Sequence, residues 1–85
     1  MADPKPVELI DARIVNNDVI IDVKGVVLAD KIDETMTRTF RVLTTFEADG
    51  KGYAQVSAKE QANETMDIWL DSDSYTVVDD LIAQL

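Results

Sequence analysis

The chain begins with two runs that are rich in Val and Ile, at residues 7–15 and 19–29. β-branched residues favour the extended backbone, and short runs of them bounded by turn residues are typical of strands. Between the runs, residues 16–18 read Asn-Asn-Asp, and these residue types tolerate a positive φ in a tight turn. The pattern therefore predicts a β-hairpin at the start of the chain.

Charged side chains distinguish two registers for this hairpin. A loop made of the last two turn residues would set Arg13 opposite Asp22 and Asp11 opposite Lys24. A loop made of the first two would instead place Asp11 against Asp22. Opposite charges across neighbouring strands are favourable and like charges are not, so the charge pattern favours the first register.

Both faces of the predicted hairpin carry apolar side chains. One face holds Ile10, Ala12, Ile14, Ile21 and Val23. The other holds Val7, Leu9, Val15, Ile20, Val26 and Leu28. An antiparallel hairpin with one solvated face alternates more cleanly, so we expect the second set to be covered. A second copy of the chain is the simplest cover, which predicts a homodimer; the alternative cover is the chain's own C-terminal helix.

A third strand is predicted at residues 36–47, after a polar loop at residues 30–35. Its residues alternate in character, as expected for a strand with one buried face. The apolar side holds Phe40, Val42 and Phe46, and the other side holds Arg41 and Thr45.

A glycine-containing turn, Ala-Asp-Gly-Lys-Gly at residues 48–52, follows the third strand. This composition is typical of a hairpin, and it leads into a short fourth strand at residues 53–56. A three-residue loop with Gly50 in the left-handed region would align Ala54 and Val56 with the Phe40 and Phe46 side.

A capping box, Ser-Ala-Lys-Glu at residues 57–60, predicts the start of a helix over residues 58–70. At about 100° per residue, one helix face collects Ala58, Ala62, Thr65, Met66, Trp69 and Leu70. The opposite face collects Glu60, Glu64, Asp67 and Asp71. We therefore expect Trp69 to be buried beneath an acidic outer stripe.

A second helix is predicted over residues 75–85, after Asp-Ser-Asp-Ser at residues 71–74, which offers several N-caps. Its apolar arc holds Val77, Val78, Leu81, Ile82 and Leu85. Asp79 and Asp80 lie outside the arc, in the first half of the predicted helix, where the helix dipole favours carboxylates.

Taken together, these elements predict an α+β fold of ββββαα order, in which a four-stranded antiparallel sheet carries two C-terminal helices on one face. Residues 1–6, with two prolines, are expected to be a flexible lead-in, and residues 7–85 a single domain.

The whole chain has a net charge of −9, and its negative charge is concentrated in the last third. Residues 1–59 hold ten acids and eight bases, a net charge of −2, whereas residues 60–85 hold seven acids and no base. The seven are Glu60, Glu64, Asp67, Asp71, Asp73, Asp79 and Asp80. Such a surface repels nucleic acid and anionic membranes and suits a basic protein partner, although solubility or adaptation to high salt explains the same composition.

Catalytic and metal-binding chemistry find little support in the sequence. The chain has no Cys and no His, so it lacks the commonest general base and the commonest transition-metal ligands. An EF-hand loop starting at Asp71 would have Thr76 at the position that requires the turn glycine and Ile82 at the position that requires the bidentate glutamate. Ser57, Ser72 and Ser74 are better interpreted as helix caps. We therefore expect neither an enzyme nor a bound cofactor or metal.

Residues 36–70 resemble the C-terminal half of a double-stranded-RNA-binding domain, in which a glycine-turned hairpin leads into a helix that begins with Ser. Here Ser57, Lys59 and Ala62 match that pattern, whereas Ala58 and Asn63 stand where lysines are expected. Contact with phosphates needs positive charge, so no direct nucleic-acid binding is expected.

The sequence thus predicts a cytoplasmic, non-catalytic module that binds a protein with a basic surface. Small inhibitors and nucleic-acid-mimicking decoys, such as those encoded by phages, resemble it in size and charge. The alternative is a structural subunit, of a virion or another assembly, that self-associates through the second apolar face of the first hairpin.

Overall fold

The computed structural model describes residues 5–28, 31–33, 37–58 and 61–85. Residues 1–4, which form most of the predicted lead-in, lie outside this part of the chain. Within it, the elements in chain order are β1 (Glu8–Val15), β2 (Asp18–Lys24), β3 (Val26–Leu28), β4 (Lys31–Asp33), β5 (Arg38–Ala48), β6 (Lys51–Ala58), β7 (Gln61–Leu70) and α1 (Ser72–Ala83).

The main sheet has five antiparallel strands in the order β1-β2-β5-β6-β7, and β3 pairs with β4 in a separate two-stranded hairpin. The predicted α+β class with an antiparallel sheet is confirmed. In detail, five strands replace the predicted four, and the described residues form one helix in place of two. Part of the predicted loop at residues 30–35 is strand β4.

The first hairpin adopts the register that the charge pattern disfavoured. Asn16 and Asn17 form the loop, with φ values of 51° and 66°, and Asp11 therefore lies opposite Asp22. Two consecutive residues with positive φ give the turn whose twist matches that of the flanking strands. Arg13 removes the electrostatic objection, since its Nη1 lies 2.9 Å from an oxygen of each carboxylate.

The register of β1 also shifts between Leu9 and Asp11, where Ile10 is the extra residue of a bulge. The shift pairs Leu9 with Val23 and turns Leu9 toward the core, contrary to the prediction. Ile10 was predicted on the core face, but its side chain is 48% exposed. The predicted second strand is interrupted at Gly25, whose φ is +86°, and this break separates β2 from β3.

A core of apolar side chains fills the space between the inner face of the sheet and α1. Its members are Val7, Val19, Ile21, Val23, Val26, Phe40, Val42, Ala54, Val56, Ile68, Leu70 and Val78. The predicted second apolar face of the first hairpin is thus wrong as a single patch. Val7 and Val26 are buried in this core, and Leu9 packs against it. Of the rest, Val15 is exposed, Ile20 is half-buried, and the side chain of Leu28 lies outside the described part of the chain.

A second bulge changes the face of β5. The register between β5 and β6 shifts between Val42 and Thr44, so residues after Leu43 exchange sides. Thr45 consequently lies opposite buried Ala54 on the inner side, while Phe46 stacks on Tyr53 on the outer side, with ring centroids 5.3 Å apart. Phe46 was predicted on the same side as Phe40, and the bulge overturns that prediction.

The turn between β5 and β6 has a two-residue loop, Asp49 and Gly50, with φ values of 54° and 75°. The left-handed conformation predicted for Gly50 is confirmed, but the loop is one residue shorter than predicted. The strand that follows runs over Lys51–Ala58, twice the predicted length.

The predicted helix over residues 58–70 is wrong, because Gln61–Leu70 is the strand β7. Ile68 and Leu70 alternate with Asp67 and Trp69, and the first pair is buried while Asp67 is exposed. Ser57, the expected cap, is a buried residue of β6. Pairing with β6 satisfies the backbone of this segment, and that long-range pairing overrides its local helical propensity.

The helix α1 begins at Ser72, three residues before the predicted start. Asp71 is its N-cap, and the Asp71 side chain accepts a hydrogen bond of 2.7 Å from the backbone N–H of Ser74. Val78 is fully buried, and α1 packs against all five strands of the main sheet. Val77 and Leu85, which were expected in the apolar arc, are exposed.

The first and last strands of the sheet approach each other at one point. Val7, just before β1, forms a parallel bridge with Leu70, the last residue of β7. The backbone N–H of Val7 donates to the carbonyl of Trp69 at 2.9 Å. Since β1 and β7 are at opposite ends of the strand order, the sheet must curl around its core to bring them together.

Candidate functional site

Four of the seven predicted partner-binding acids lie on or beside α1. We call Asp71, Asp73, Asp79 and Asp80 the acidic helix surface, and all four are exposed. Asp73 and Asp80 are seven residues apart, close to two full turns, so they lie on the same side of the helix. No Lys or Arg occurs anywhere in residues 60–85, and the helix therefore carries no positive charge to offset them.

Two members of the acidic helix surface also have structural contacts. Asp71 caps the helix, and Asp79 accepts a hydrogen bond of 2.8 Å from the hydroxyl of Thr45 on β5. By contrast, Asp73 and Asp80 have no hydrogen bond or ion pair with another residue of the described part of the chain. These two carboxylates are directed to solvent alone.

The position of Asp79 and Asp80 along the helix differs from the prediction. Because α1 starts at Ser72 and ends at Ala83, both acids lie in its second half rather than its first. The C-terminal end of a helix carries partial negative charge, but this effect is confined mainly to the last turn, so it disfavours Asp80 and has little effect on Asp79. Stabilisation by the helix dipole therefore does not explain these two residues.

The remaining predicted acids do not join the helix. Glu64 and Asp67 are exposed residues of β7, and Glu64 lies where the register between β6 and β7 shifts. Glu60 lies outside the described residues. The predicted stripe of Glu60, Glu64, Asp67 and Asp71 on one helix face is therefore wrong, since its members belong to a strand and to the cap of a helix.

An aromatic cluster on the outer face of the sheet was not predicted. Tyr53 on β6 stacks on Phe46 and is paired across the strands with Trp69. The ammonium group of Lys51 lies 4.4 Å from the centre of the Trp69 ring, within the range of a cation–π contact. Trp69 is thus half-buried on the outer face rather than buried under a helix. The alternation of Lys51, Tyr53 and Gln55 is the signal that could have placed this face.

Two surface cavities lie where the chain before β1 meets the sheet. One has a volume of about 290 Å³ and extends between Val7 and Trp69. The other, of about 370 Å³, is lined by Lys5, Pro6, Glu8, Lys24 and Gly25. In the part of the chain that the structure describes, no group of three or more acidic side chains is arranged to hold a metal ion.

Comparisons with known proteins do not assign a family. No protein-family model matches the sequence, and no curated protein or solved structure is detectably similar to it. Among the described residues, α1 is the sole helix, and it is too short to cross a membrane.

Proposed function

We propose that this protein is a non-catalytic binding module whose acidic helix surface engages a basic surface of a partner protein. Inhibitors and nucleic-acid-mimicking decoys are the members of this class that fit its size and charge. Opposite charges across such an interface would steer the encounter of the two proteins and would fix their relative orientation.

The observation that carries this proposal is the unexplained charge of α1. Asp73 and Asp80 have no described partner. The helix dipole favours Asp73, which is in the first turn, but disfavours Asp80, which lies near the C-terminal end of α1. A carboxylate at a position that disfavours it, on an exposed face without any base, is better explained by a ligand than by folding. Lys and Arg side chains on the partner's surface would relieve the repulsion between these carboxylates.

A matched pair of variants tests the proposal. Asp73→Asn with Asp80→Asn removes two charges that have no structural contact, so the fold should be unaffected. Glu8→Gln with Asp18→Asn removes the same charge from the first hairpin. With each protein as bait for extracts of its source cell, we expect a protein captured at low salt to be lost at high salt.

The helix variant should fail to capture that protein, whereas the hairpin variant should retain it. With the isolated partner, titration calorimetry should then give a weaker salt dependence for the helix variant, since exposed charges are screened by salt. Equal affinity of the unmodified protein and the helix variant would remove the acidic helix surface from the mechanism.

A further inference from the structure

Among the side chains that the structure describes, the edge strand β1 exposes more large apolar ones than any other element. Ile10, Ile14 and Val15 are 48%, 39% and 44% exposed. β1 is the first strand in the sheet order, and among the described residues it pairs with β2 alone. An exposed apolar edge strand is a template for pairing with another strand, and proteins usually protect such edges with charged side chains or a bulge. Because β1 has both, a strand that pairs with it must match the charges of Asp11 and Arg13 and avoid the bulge at Ile10.

The register of the first hairpin determines which backbone groups of β1 are directed outward. Val15 and Asp18 flank a two-residue loop, and residues in that position exchange both of their hydrogen bonds. Bonded and non-bonded pairs then alternate, so Val15, Arg13 and Asp11 use their backbone groups toward β2. The N–H and C=O groups of Ile14 and Ala12 are therefore directed away from the sheet.

We infer that the outer edge of β1 pairs antiparallel with β1 of a second copy, about a two-fold axis at Ala12. This register places Ala12 opposite its own counterpart and uses the outward backbone groups of both copies. It sets Asp11 of each copy opposite Arg13 of the other. Arg13, which contacts Asp11 and Asp22 of its own chain, then also faces a carboxylate of the second copy, and the exposed Ile14 side chains are brought to the new interface.

Charge complementarity selects this register and a second copy as the occupant. The other residue with outward backbone groups is Ile14, and an axis there would set Arg13 opposite Val15 and Asp11 opposite Asn17, so that no opposite charges meet. Opposite charges across neighbouring strands are favourable, which selects the axis at Ala12. The bulge at Ile10 interrupts the regular backbone there, so we expect the ladder to be centred on residues 11–13. The inference does not depend on the acidic helix surface.

Charge reversal tests the pairing. Sedimentation equilibrium of the unmodified protein at high micromolar concentration should give the mass of two chains. Arg13→Asp places like charges across the axis and should reduce the mass to that of one chain. Because it also removes the contacts of Arg13 with two carboxylates of its own chain, Asp22→Asn, which weakens those contacts away from the axis, is the control and should remain a dimer. Adding Asp11→Arg to the Arg13→Asp variant restores opposite charges in both positions and should return the mass to two chains. A single-chain mass for the unmodified protein, or no recovery in the double variant, would overturn the inference.

A backbone variant gives an independent measurement. Ala12→Pro removes an outward N–H and leaves the ladder to β2 in place, and Pro is tolerated at edge positions of this kind. We expect a single-chain mass with the near-ultraviolet signal of Trp69 retained. Val77→Lys, on the exposed side of α1, is the control and should remain a dimer. If Ala12→Pro does not fold, the charge-reversal pair decides.

Discussion

At the scale of single residues, Asp22 shows how the first hairpin carries two acids side by side. The hydroxyl of Thr39 donates to the Asp22 carboxylate and lowers its pKa, against a smaller effect of burial that raises it. The hydrogen bond from Arg13 lowers the pKa further, and the same contact raises the pKa of Arg13. A neutral donor and a cation on one carboxylate thus compensate for the nearby Asp11.

The pKa of Asp22 should rise when the hydroxyl of Thr39 is removed. The pKa of Asp22 is lowered in the folded protein, so the ionised Asp22 carboxylate stabilises the fold. This stabilisation is present above the ordinary carboxyl pKa and is lost as the pH falls through the lowered pKa. Thr39→Val should therefore move the midpoint of an NMR titration of the Asp22 carboxyl carbon to higher pH. Thr76→Val, whose hydroxyl bonds to the Ser72 carbonyl within α1, should leave it unchanged. An identical midpoint in Thr39→Val would show that the hydroxyl does not set this pKa.

At the scale of elements, β7 shows where sequence patterns stop deciding structure. Its apolar residues recur at helical spacing, and a capping box precedes them, so the local pattern favours a helix. The competing signal, alternation over Met66–Leu70, spans few residues. The pairing of β7 with β6 is long-range, and its register contains a shift between Ser57 and Ala58, as the register of β5 with β6 does after Val42. A single sequence contains no direct signal for such shifts.

The close approach of α1 to β6 gives a prediction at the same scale. A Cβ atom added to Gly52 would lie 2.5 Å from Cδ2 and 2.7 Å from Cγ of the Tyr75 ring. Since the ring is anchored in the first turn of α1, Gly52→Ala should lower the free energy of unfolding by about 1–3 kcal/mol, as overpacking does. Chemical denaturation followed by Trp69 fluorescence would measure this loss.

Tyr75→Ala provides the second arm of a double-mutant cycle. If the contact with Tyr75 is the cause, Gly52→Ala should cost much less in the Tyr75→Ala background than in the unmodified protein. Additive losses would place the cause elsewhere. Gly50→Ala is a useful contrast, because nothing lies within 4 Å of its added Cβ and its cost should come from the φ of +75° alone.

At the scale of the whole molecule, the sequence predicted the class of the fold and the position of the final helix. It also placed the acids of α1 correctly at the surface. It could not predict that Val7 and Val26 belong to the core, because hydrophobic residues on both faces of a hairpin look the same whether the sheet is flat or curled. For the same reason, it assigned these buried residues to a surface for self-association.

The bridge between Val7 and Leu70 joins the two ends of the sheet, and this closure of the sheet should contribute to global stability. Val7 is buried beside the last residue of β7, and fully burying a valine side chain is worth about 1.5–3 kcal/mol. We expect Val7→Ala to lower the free energy of unfolding by a large part of that amount, measured by urea denaturation. Val77→Ala, at an exposed position, should change it by less than about 0.5 kcal/mol. Equal stability of the two variants would show that the closure is not important for the fold.

The same closure has a consequence for folding kinetics. β1–β2 and β5–β6 are joined by two-residue loops, so these hairpins can form on the microsecond timescale. The bridge from Val7 to Leu70 joins the two ends of the sheet, and its contacts become favourable only after the strands between them are in place. Contacts that form after the transition state affect the unfolding rate more than the folding rate. A weakened closure should therefore leave the refolding rate nearly unchanged and shorten the lifetime of the native state.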